Sequence, residues 1–293
     1  MHTAHAIARG RSFAIERDDI MICTYPKCGT TWMMQIMHQI RCVNASIDGE
    51  DFGEITEVVP WDIVAHDCGV DLDAEQRARP RLYKSHESAT TVRRGGRYVV
   101  VVREPCDVFN SFYEFLPAYM GIERGGVSAE EFARAIFAGA SQSGGFGEHF
   151  LSWYDAKQAD PDNVLMLSFE DMKDDLGAVV DEISAFMGIE LDAEGRELVL
   201  RRSSFEYMKN NPKFDDHFVR NKLAKQMGLP EDSKFTVGKV RDGGGIVGEG
   251  ARKQPAAVTD AIRAKWEAQM APRGFATYAD FRAAIRRQPP VAS

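Results

Sequence analysis

One segment of this 293-residue chain combines the residue types that hold a phosphate group. Residues 25–32 (YPKCGTTW) follow an apolar run and precede a helical pattern. A loop between a strand and a helix points free backbone N–H groups and the positive end of the helix dipole at one place. Lys27 adds a positive charge, and Gly29 lets the backbone approach closely. The hydroxyls of Thr30 and Thr31 are further donors, so the segment predicts an anion site.

This loop differs from the phosphate loop of ATP- and GTP-binding proteins, G-x-x-x-x-G-K-[ST]. Lys27 precedes Gly29 here, and no glycine lies in residues 21–28. The alternative interpretation is an ordinary strand-to-helix turn that begins with a threonine. The order of one lysine, one glycine and two threonines favours the anion site.

A second group of candidates lies at residues 84–86 (KSH). Lys84 and His86 are two residues apart, so an extended strand places their side chains on one face. Ligands of open parallel sheets bind beyond the carboxyl ends of the strands. An imidazole with an ordinary pKa of about 6.5 suits proton removal near neutral pH. His86 is therefore the general-base candidate among the seven histidines.

A third candidate is Arg103, which ends the run YVVVV. Its guanidinium presents a fork of donors that matches phosphate oxygens. Ser111 lies about two helical turns further on and adds a hydroxyl. The alternative interpretation is a salt bridge from Arg103 to Glu104 or Asp107 at the end of the strand.

The pattern of the chain predicts the elements that position these residues. Apolar runs at residues 19–24, 81–85, 97–102 and 163–168 predict strands, and buried apolar strands are typical of a parallel sheet with helices on both faces. Helices are expected at residues 30–43, 107–119, 129–139, 147–158, 174–187 and 256–270. The glycine-dense residues 243–250 predict a mobile loop. We expect a three-layer α/β fold in a single domain over residues 1–293.

Composition excludes several classes of protein. With 36 Lys and Arg against 44 Asp and Glu, the net charge of −8 argues against a general nucleic-acid-binding protein. The longest apolar run, residues 98–102, is far shorter than the roughly 20 residues of a membrane span. The first residues lack the apolar stretch of a secretion signal, so a cytoplasmic protein is expected. The five cysteines show no zinc spacing, which predicts free thiols and no metal site.

Taken together, these segments resemble the cytosolic sulfotransferases, whose 5′-phosphosulfate loop reads YPK-x-GTTW. The resemblance spans about residues 13–270 and follows the family's order through residues 18–32, 84–86, 103–115, 164–174 and 203–212. It implies the sulfotransferase fold, which is related to the P-loop nucleotide kinases. It also implies transfer of a sulfonate from 3′-phosphoadenosine 5′-phosphosulfate (PAPS) to a hydroxyl or amine, with 3′-phosphoadenosine 5′-phosphate (PAP) as product and no metal.

The resemblance also assigns roles to residues by position. Donor-binding residues would be Lys27, Cys28, Gly29, Thr30, Thr31, Trp32, Arg103, Ser111, Phe169, Ser203, Phe205, Met208, Arg241, Asp242 and Gly243. Within this set, Arg103 and Ser111 would hold the 3′-phosphate, and Trp32 and Phe205 the adenine. His86 would remove the acceptor's proton, Lys27 would neutralise the leaving phosphate, and Lys84 would support the sulfonate. Trp61, Phe115 and Phe146 would line the pocket of a small aromatic or hydrophobic acceptor.

Several positions depart from the family pattern. Asp242 replaces a frequent lysine and is unfavourable beside a 3′-phosphate, and the common Gly-Asp-Trp-Lys that follows is absent. Cys28 replaces a frequent serine and predicts a loop that reacts with thiol reagents. Residues before Phe13 do not match, which predicts a more open acceptor pocket. The alternative functions are a nucleotide-binding protein of this fold without transferase activity and a nucleotide-kinase-like phosphotransferase. The oligomeric state stays open.

Overall fold

The computed structural model describes residues 2–123, 125–137, 144–209, 211–230, 238–240, 243 and 245–286. In these residues a parallel sheet has the strand order β2–β1–β3–β4. The strands are β1 (Ile20–Thr24), β2 (Leu82–Ser85), β3 (Arg97–Val102) and β4 (Val164–Ser168), each within one residue of its predicted bounds. Almost every strand residue is buried, as the continuous apolar runs predict.

Helices surround the sheet. In chain order they are α1 (Ala4–Gly10), α2 (Thr30–Asn44), α3 (Ile55–Val58), α4 (Asp62–Ala65), α5 (Pro105–Tyr113), α6 (Leu116–Tyr119), α7 (Ala129–Ala135), α8 (Phe146–Ala159), α9 (Phe169–Asp174), α10 (Leu176–Met187), α11 (Ala193–Arg202), α12 (Phe205–Met208), α13 (His217–Leu223), α14 (Glu249–Lys253), α15 (Ala256–Gln269) and α16 (Tyr278–Arg286). Within the described ranges, no helix has the length and apolar character needed to cross a bilayer.

Two predicted helices are interrupted for local reasons. The helix predicted at residues 107–119 is α5 followed by α6, because Pro117 requires the first turn of a new helix. The helix predicted at residues 174–187 is preceded by the separate helix α9. Asp175 divides the two, since its side chain accepts a hydrogen bond from Ala178 N and so begins α10.

Alternate side chains of the strands enter two separate cores. Ile20 and Ile22 of β1 join the core that contains α2, α10 and α11. Met21 and Cys23 join the core on the other side, with α5, α8, α15 and α16. This arrangement confirms the three-layer α/β fold. The second core also includes Phe281 of α16, which is fully buried although it lies beyond residue 270.

The end of the glycine-dense segment is tightly packed, so the prediction of a mobile loop is wrong for residues 248–250. The backbone N–H groups of Gly248 and Gly250 each donate a 2.7 Å hydrogen bond to the Asp107 carboxylate. A Cβ atom at Gly250 would lie 2.0 Å from the Cys106 carbonyl oxygen. Only glycine permits this approach of α14 to α5, and the contact fixes the loop that precedes α14.

We predict that Gly250→Ala destabilises the protein, because the added methyl group would overlap backbone atoms that cannot move independently. Overpacking of this kind costs about 1–3 kcal/mol, which corresponds to a fall of several degrees in melting temperature, about 2–4 °C per kcal/mol. Thermal unfolding followed by circular dichroism measures it. Gly238→Ala is the matched control, since its nearest neighbour would be 3.8 Å away. Equal melting temperatures for the two variants would contradict the packing described here.

Candidate active site

The segments that follow the four strands open onto one cavity of about 610 Å³. The parallel register brings these carboxyl ends to one edge of the sheet, as expected for a ligand site. The cavity brings together most of the residues proposed from the sequence. Those that line it are Lys27, Gly29, Thr30, Thr31, Trp32, Trp61, Lys84, His86, Arg103, Ser111, Phe115, Phe169, Phe205 and Met208.

Other proposed residues lie elsewhere. Phe146 belongs to the aromatic core, with its ring stacked on Trp266 at 6.3 Å, and the structure does not bring it to the cavity. Ser203 is buried behind the wall, where its carbonyl oxygen accepts a 2.7 Å hydrogen bond from Trp32 Nε1. Gly243 is described but does not line the cavity. Arg241 and Asp242 lie outside the described residues.

The loop before α2 is shaped by two residues in left-handed conformations. Gly29 begins α2 with φ 100°, and Lys27 has φ 71°. Glycine takes this conformation freely, whereas a residue with a Cβ is strained there. Phe169 packs beneath the loop, 3.0 Å from the place a Gly29 Cβ would occupy. The strained loop therefore directs the N-terminus of α2 into the cavity.

Arg103 is held at the same end of the cavity. Its Nη1 donates a 3.2 Å hydrogen bond to the Lys27 carbonyl oxygen, and its guanidinium carbon lies 4.1 Å from the centre of the Phe169 ring. The carboxylates that were alternative partners have other roles. Glu104 accepts a hydrogen bond from Asp107 N at the start of α5, and Asp107 binds the glycine loop. The guanidinium is thus positioned by a carbonyl and an aromatic face.

His86 is oriented by the end of β1. Its Nδ1 lies 2.8 Å from the carbonyl oxygen of Thr24, which can only accept a hydrogen bond. The ring proton is therefore on Nδ1, and Nε2 has a free lone pair. Burial, with the nearby Lys84 charge, holds the pKa of His86 well below its ordinary value. The imidazole is neutral at pH 7 and can accept a proton.

Thr24 is a site residue that the sequence analysis missed. Its hydroxyl lies 2.5 Å from that of Thr30 and 3.5 Å from His86 Nδ1. It therefore connects the loop at residues 25–32 to the imidazole. The signal was available, because Thr24 is the polar end of an apolar strand whose carboxyl end faces the cavity.

Lys84 lies in a charged and aromatic wall. Its Nζ is 3.7 Å from the centre of the Trp61 ring and 3.7 Å from Asp216 Oδ1, while Lys239 Nζ is 2.6 Å from the same oxygen. The Trp61 ring also meets the His86 ring edge-on at 5.0 Å. Burial lowers the pKa of Lys84 to about 8, although Asp216 acts against this. Sequence analysis did not find Asp216 or Lys239.

The other end of the cavity is largely apolar. Its lining includes Ile7, Ile63, Phe112, Leu116, Tyr119, Met120 and Ile136. Ile7 comes from α1, whose Gly10 packs directly on the backbone of Asp62. The side that was predicted to be open is therefore covered by residues before Phe13. Lys27 Nζ lies 3.7 Å from the Phe115 ring, where the apolar and basic ends meet.

The C-terminal helix supports the basic end from behind. Glu170 accepts hydrogen bonds from Glu104 N at 3.1 Å and from the Tyr278 hydroxyl at 2.6 Å. Arg282 of α16 donates a 2.9 Å hydrogen bond to Asp171. These bonds fix α9, which carries Phe169, relative to the segment that carries Arg103.

We predict that Cys28 does not react with thiol reagents in the folded protein, contrary to the expectation from its place in the loop. All five cysteines are buried, and burial raises the pKa of each thiol, to about 11 for Cys68 and about 12 for Cys106. Little reactive thiolate is present at pH 8. Alkylation with iodoacetamide, followed by mass spectrometry of peptides, should label all five only in denaturant. Labelling of native Cys28 at the denatured rate would show that the loop opens.

Comparison with known proteins places the chain in a family. A family model described as "Sulfotransferase domain" matches residues 17–242. Rabbit sulfotransferase 1C2 is 28% identical over 240 residues, which cover 78% of each chain. Sulfotransferase 2A1 of Macaca fascicularis is 30% identical over 204 residues, 68% of this chain and 69% of its own.

Solved structures share the fold. The structure of mouse sulfotransferase SULT7A1 complexed with PAP has a TM-score of 0.66 and 19% identity, and the match covers 97% of this chain and 94% of that one. A retinol dehydratase in complex with androsterone and PAP has a TM-score of 0.68 and 18% identity, with 89% and 83% covered. The match of the family model to most of the chain shows that this protein belongs to the sulfotransferase family and is a transferase of that class.

Proposed function

We propose that the protein transfers the sulfonate of PAPS to a hydroxyl group of a small, apolar acceptor, with His86 as general base. The observation that carries this proposal is a single cavity with a basic end, an apolar end and a neutral imidazole on its wall. The basic end is suited to a phosphorylated donor, and the apolar end to an acceptor without charge.

The basic end offers two groups of phosphate ligands. The loop at Lys27–Thr31 combines an ammonium group, hydroxyls and the start of α2. Arg103 and Ser111 form the second group, which suits a 3′-phosphate that ADP lacks. Trp32 and Phe205 line the same end and offer apolar faces to a purine. Two solved structures of the same fold are complexes with PAP, which supports this donor.

The proposed reaction is an in-line displacement at sulfur. The acceptor oxygen forms a bond to sulfur while the bond from sulfur to the bridging 5′-phosphate oxygen breaks. The electron pair of that bond remains on the phosphate of the product PAP, and the acceptor proton goes to His86 Nε2. The hydrogen bond from Nδ1 to the Thr24 carbonyl stabilises the imidazolium that forms.

The proposed reaction develops negative charge that Lys27 and Lys84, which both line the cavity, are suited to stabilise. Lys27 would stabilise the departing phosphate oxygen, and Lys84 the sulfonate oxygens. Loss of one preorganised donor of this kind costs on the order of 3 kcal/mol in transition-state stabilisation. Protonated Lys84 is needed, so activity should fall as pH rises through its pKa of about 8. The acceptor end of the cavity is apolar, which favours phenols and hydrophobic alcohols.

We predict that PAP stabilises the protein against heat and that ADP does not. Ligand at about 1,000 times its dissociation constant adds roughly 4 kcal/mol, a rise of several degrees in melting temperature. Differential scanning fluorimetry of wild type and Arg103→Ala tests this, since the variant should lose the PAP effect. Equal shifts with PAP and ADP would favour the kinase-like alternative. Absence of a shift with either nucleotide would overturn the donor assignment.

We predict that His86→Ala lowers turnover by about 10²–10⁴-fold, because proton removal is lost. Binding of PAP should stay near the wild-type value, as measured by calorimetry. In wild type, kcat/KM should be retained below pH 6.5, since a neutral base is active and the lowered pKa of His86 delays its protonation. The exposed His66 gives the control variant His66→Ala. Normal turnover in His86→Ala, or equal loss of turnover and PAP binding, would exclude His86 as the base.

A further inference from the structure

Asp216 has an unusual backbone conformation, and its side chain does not cap the helix that it precedes. It precedes α13 with φ 75°, a left-handed conformation that is uncommon for residues other than glycine, although asparagine, aspartate and histidine adopt it more often than most. An aspartate before a helix usually accepts a hydrogen bond from the first turn, but Asp216 makes no such bond. Asp215 accepts the 2.9 Å bond from His217 N instead. The Asp216 side chain is left to line the cavity.

The Asp216 carboxylate faces two ammonium groups from different segments. Lys239 Nζ lies 2.6 Å from Oδ1, and Lys84 Nζ, at the end of β2, lies 3.7 Å from the same atom. Asp216 is 3% exposed and Lys84 is 2% exposed, so solvent screens these charges poorly. Buried ammonium groups need such a partner, because the loss of hydration is costly.

The titratable groups that act on Lys84 come from several elements. In the described part of the chain they are His2, Glu54, Asp62, Cys68, His86, Asp216 and Lys239. Burial, with repulsion from Asp216, raises the pKa of Glu54 to about 7, and burial raises the pKa of Asp62 to about 7. Burial also acts to raise the pKa of Asp216, but Lys239 and Lys84 outweigh it and hold that pKa low. Asp216 is therefore the negative charge that persists across neutral pH.

We propose that Asp216 is a positioning residue that keeps Lys84 charged and in contact with Trp61 for sulfonate transfer. Its carboxylate interacts with both Lys84 and Lys239. The role given to Lys84 rests on the proposed function. Asp216 itself need not touch either substrate. It acts by setting the charge and place of an ammonium group that does.

The arrangement predicts opposite effects for the two neighbours of Lys84. Removal of the Asp216 charge takes away the larger of the two attractions, from Asp216 and Glu54, that oppose burial and the Lys239 charge, so the pKa of Lys84 should fall below about 8. Removal of the Lys239 charge takes away a repulsion and leaves Lys84 as the nearer ammonium partner of Asp216. The pKa of Lys84 should therefore rise. A substitution that merely damaged the fold would not produce shifts of opposite sign.

The test is a pH titration of protein labelled with ¹³C at lysine Cε, followed by NMR, with the Lys84 signal identified from its loss in Lys84→Met. Asp216→Asn should lower the titration midpoint by about one pH unit or more, and Lys239→Met should raise it. Asparagine tolerates the left-handed backbone, so Asp216→Asn is expected to fold. Asp215→Asn is the matched control, since asparagine can still begin α13, and its Lys84 midpoint should equal that of wild type.

A second measurement connects this charge to turnover. The alkaline limb of the kcat–pH profile should move to lower pH in Asp216→Asn, and turnover at pH 8 should fall about fivefold or more, while Asp215→Asn retains the wild-type profile. At pH 6, where Lys84 is charged in both proteins, the difference should shrink. A pH-independent loss of turnover would mean a structural role only and would overturn the proposal.

The NMR titration does not depend on the reaction, so the two proposals fail separately. An unchanged Lys84 midpoint in Asp216→Asn would overturn the role of Asp216, whatever the enzyme transfers. Shifted midpoints in a protein that binds PAP but transfers no sulfonate would support the charge pairing and refute the proposed function, and with it the catalytic purpose of Asp216.

Discussion

Thr24, the last residue of β1, makes the hydrogen bonds on which the geometry of the site depends. Its carbonyl oxygen fixes the proton of His86 on Nδ1, and its hydroxyl meets that of Thr30 at the start of α2. The bond to His86 requires the parallel register that places the ends of β1 and β2 side by side. A shift of one residue in that register would turn the strand side chains to the opposite faces. The end of β1 therefore positions both the His86 imidazole and the loop at residues 25–32.

Charge in the cavity is arranged around this frame. The basic end is supported by aromatic faces, since Lys27, Lys84 and Arg103 lie near the rings of Phe115, Trp61 and Phe169. Aromatic faces attract cations without neutralising them. The cations therefore keep their charge for an anionic ligand, whereas carboxylates in the same places would compete with it. Asp216 is a carboxylate within this arrangement, and the two lysines around it exceed its single charge.

Patterns in short stretches of sequence predicted the elements whose structure depends on residues close together in the chain. The four strands, α2 and the loop at residues 25–32 follow from apolar runs and from glycine and threonine positions. Side-chain direction was harder to predict. Cys28 points into the core although its neighbours line the cavity, and Phe146 packs on Trp266, more than a hundred residues away. An aromatic residue on a helix looks the same in sequence whether it faces a core or a ligand.

The charge pair at Asp216 and the cover provided by α1 depend on contacts between distant segments, for which the sequence carries no periodic signal. The contact of Asp107 was equally hard to predict from the sequence, because its carboxylate accepts hydrogen bonds from the backbone N–H groups of residues 248 and 250. Recognition of a main chain requires a glycine at position 250 and favours one at position 248, where φ is 76°, but it leaves the identity of most side chains before them free. The sequence of this loop can therefore diverge while its path is retained. A search for the sequence motif of this loop would then overlook relatives in which the same edge of the cavity is built in the same way.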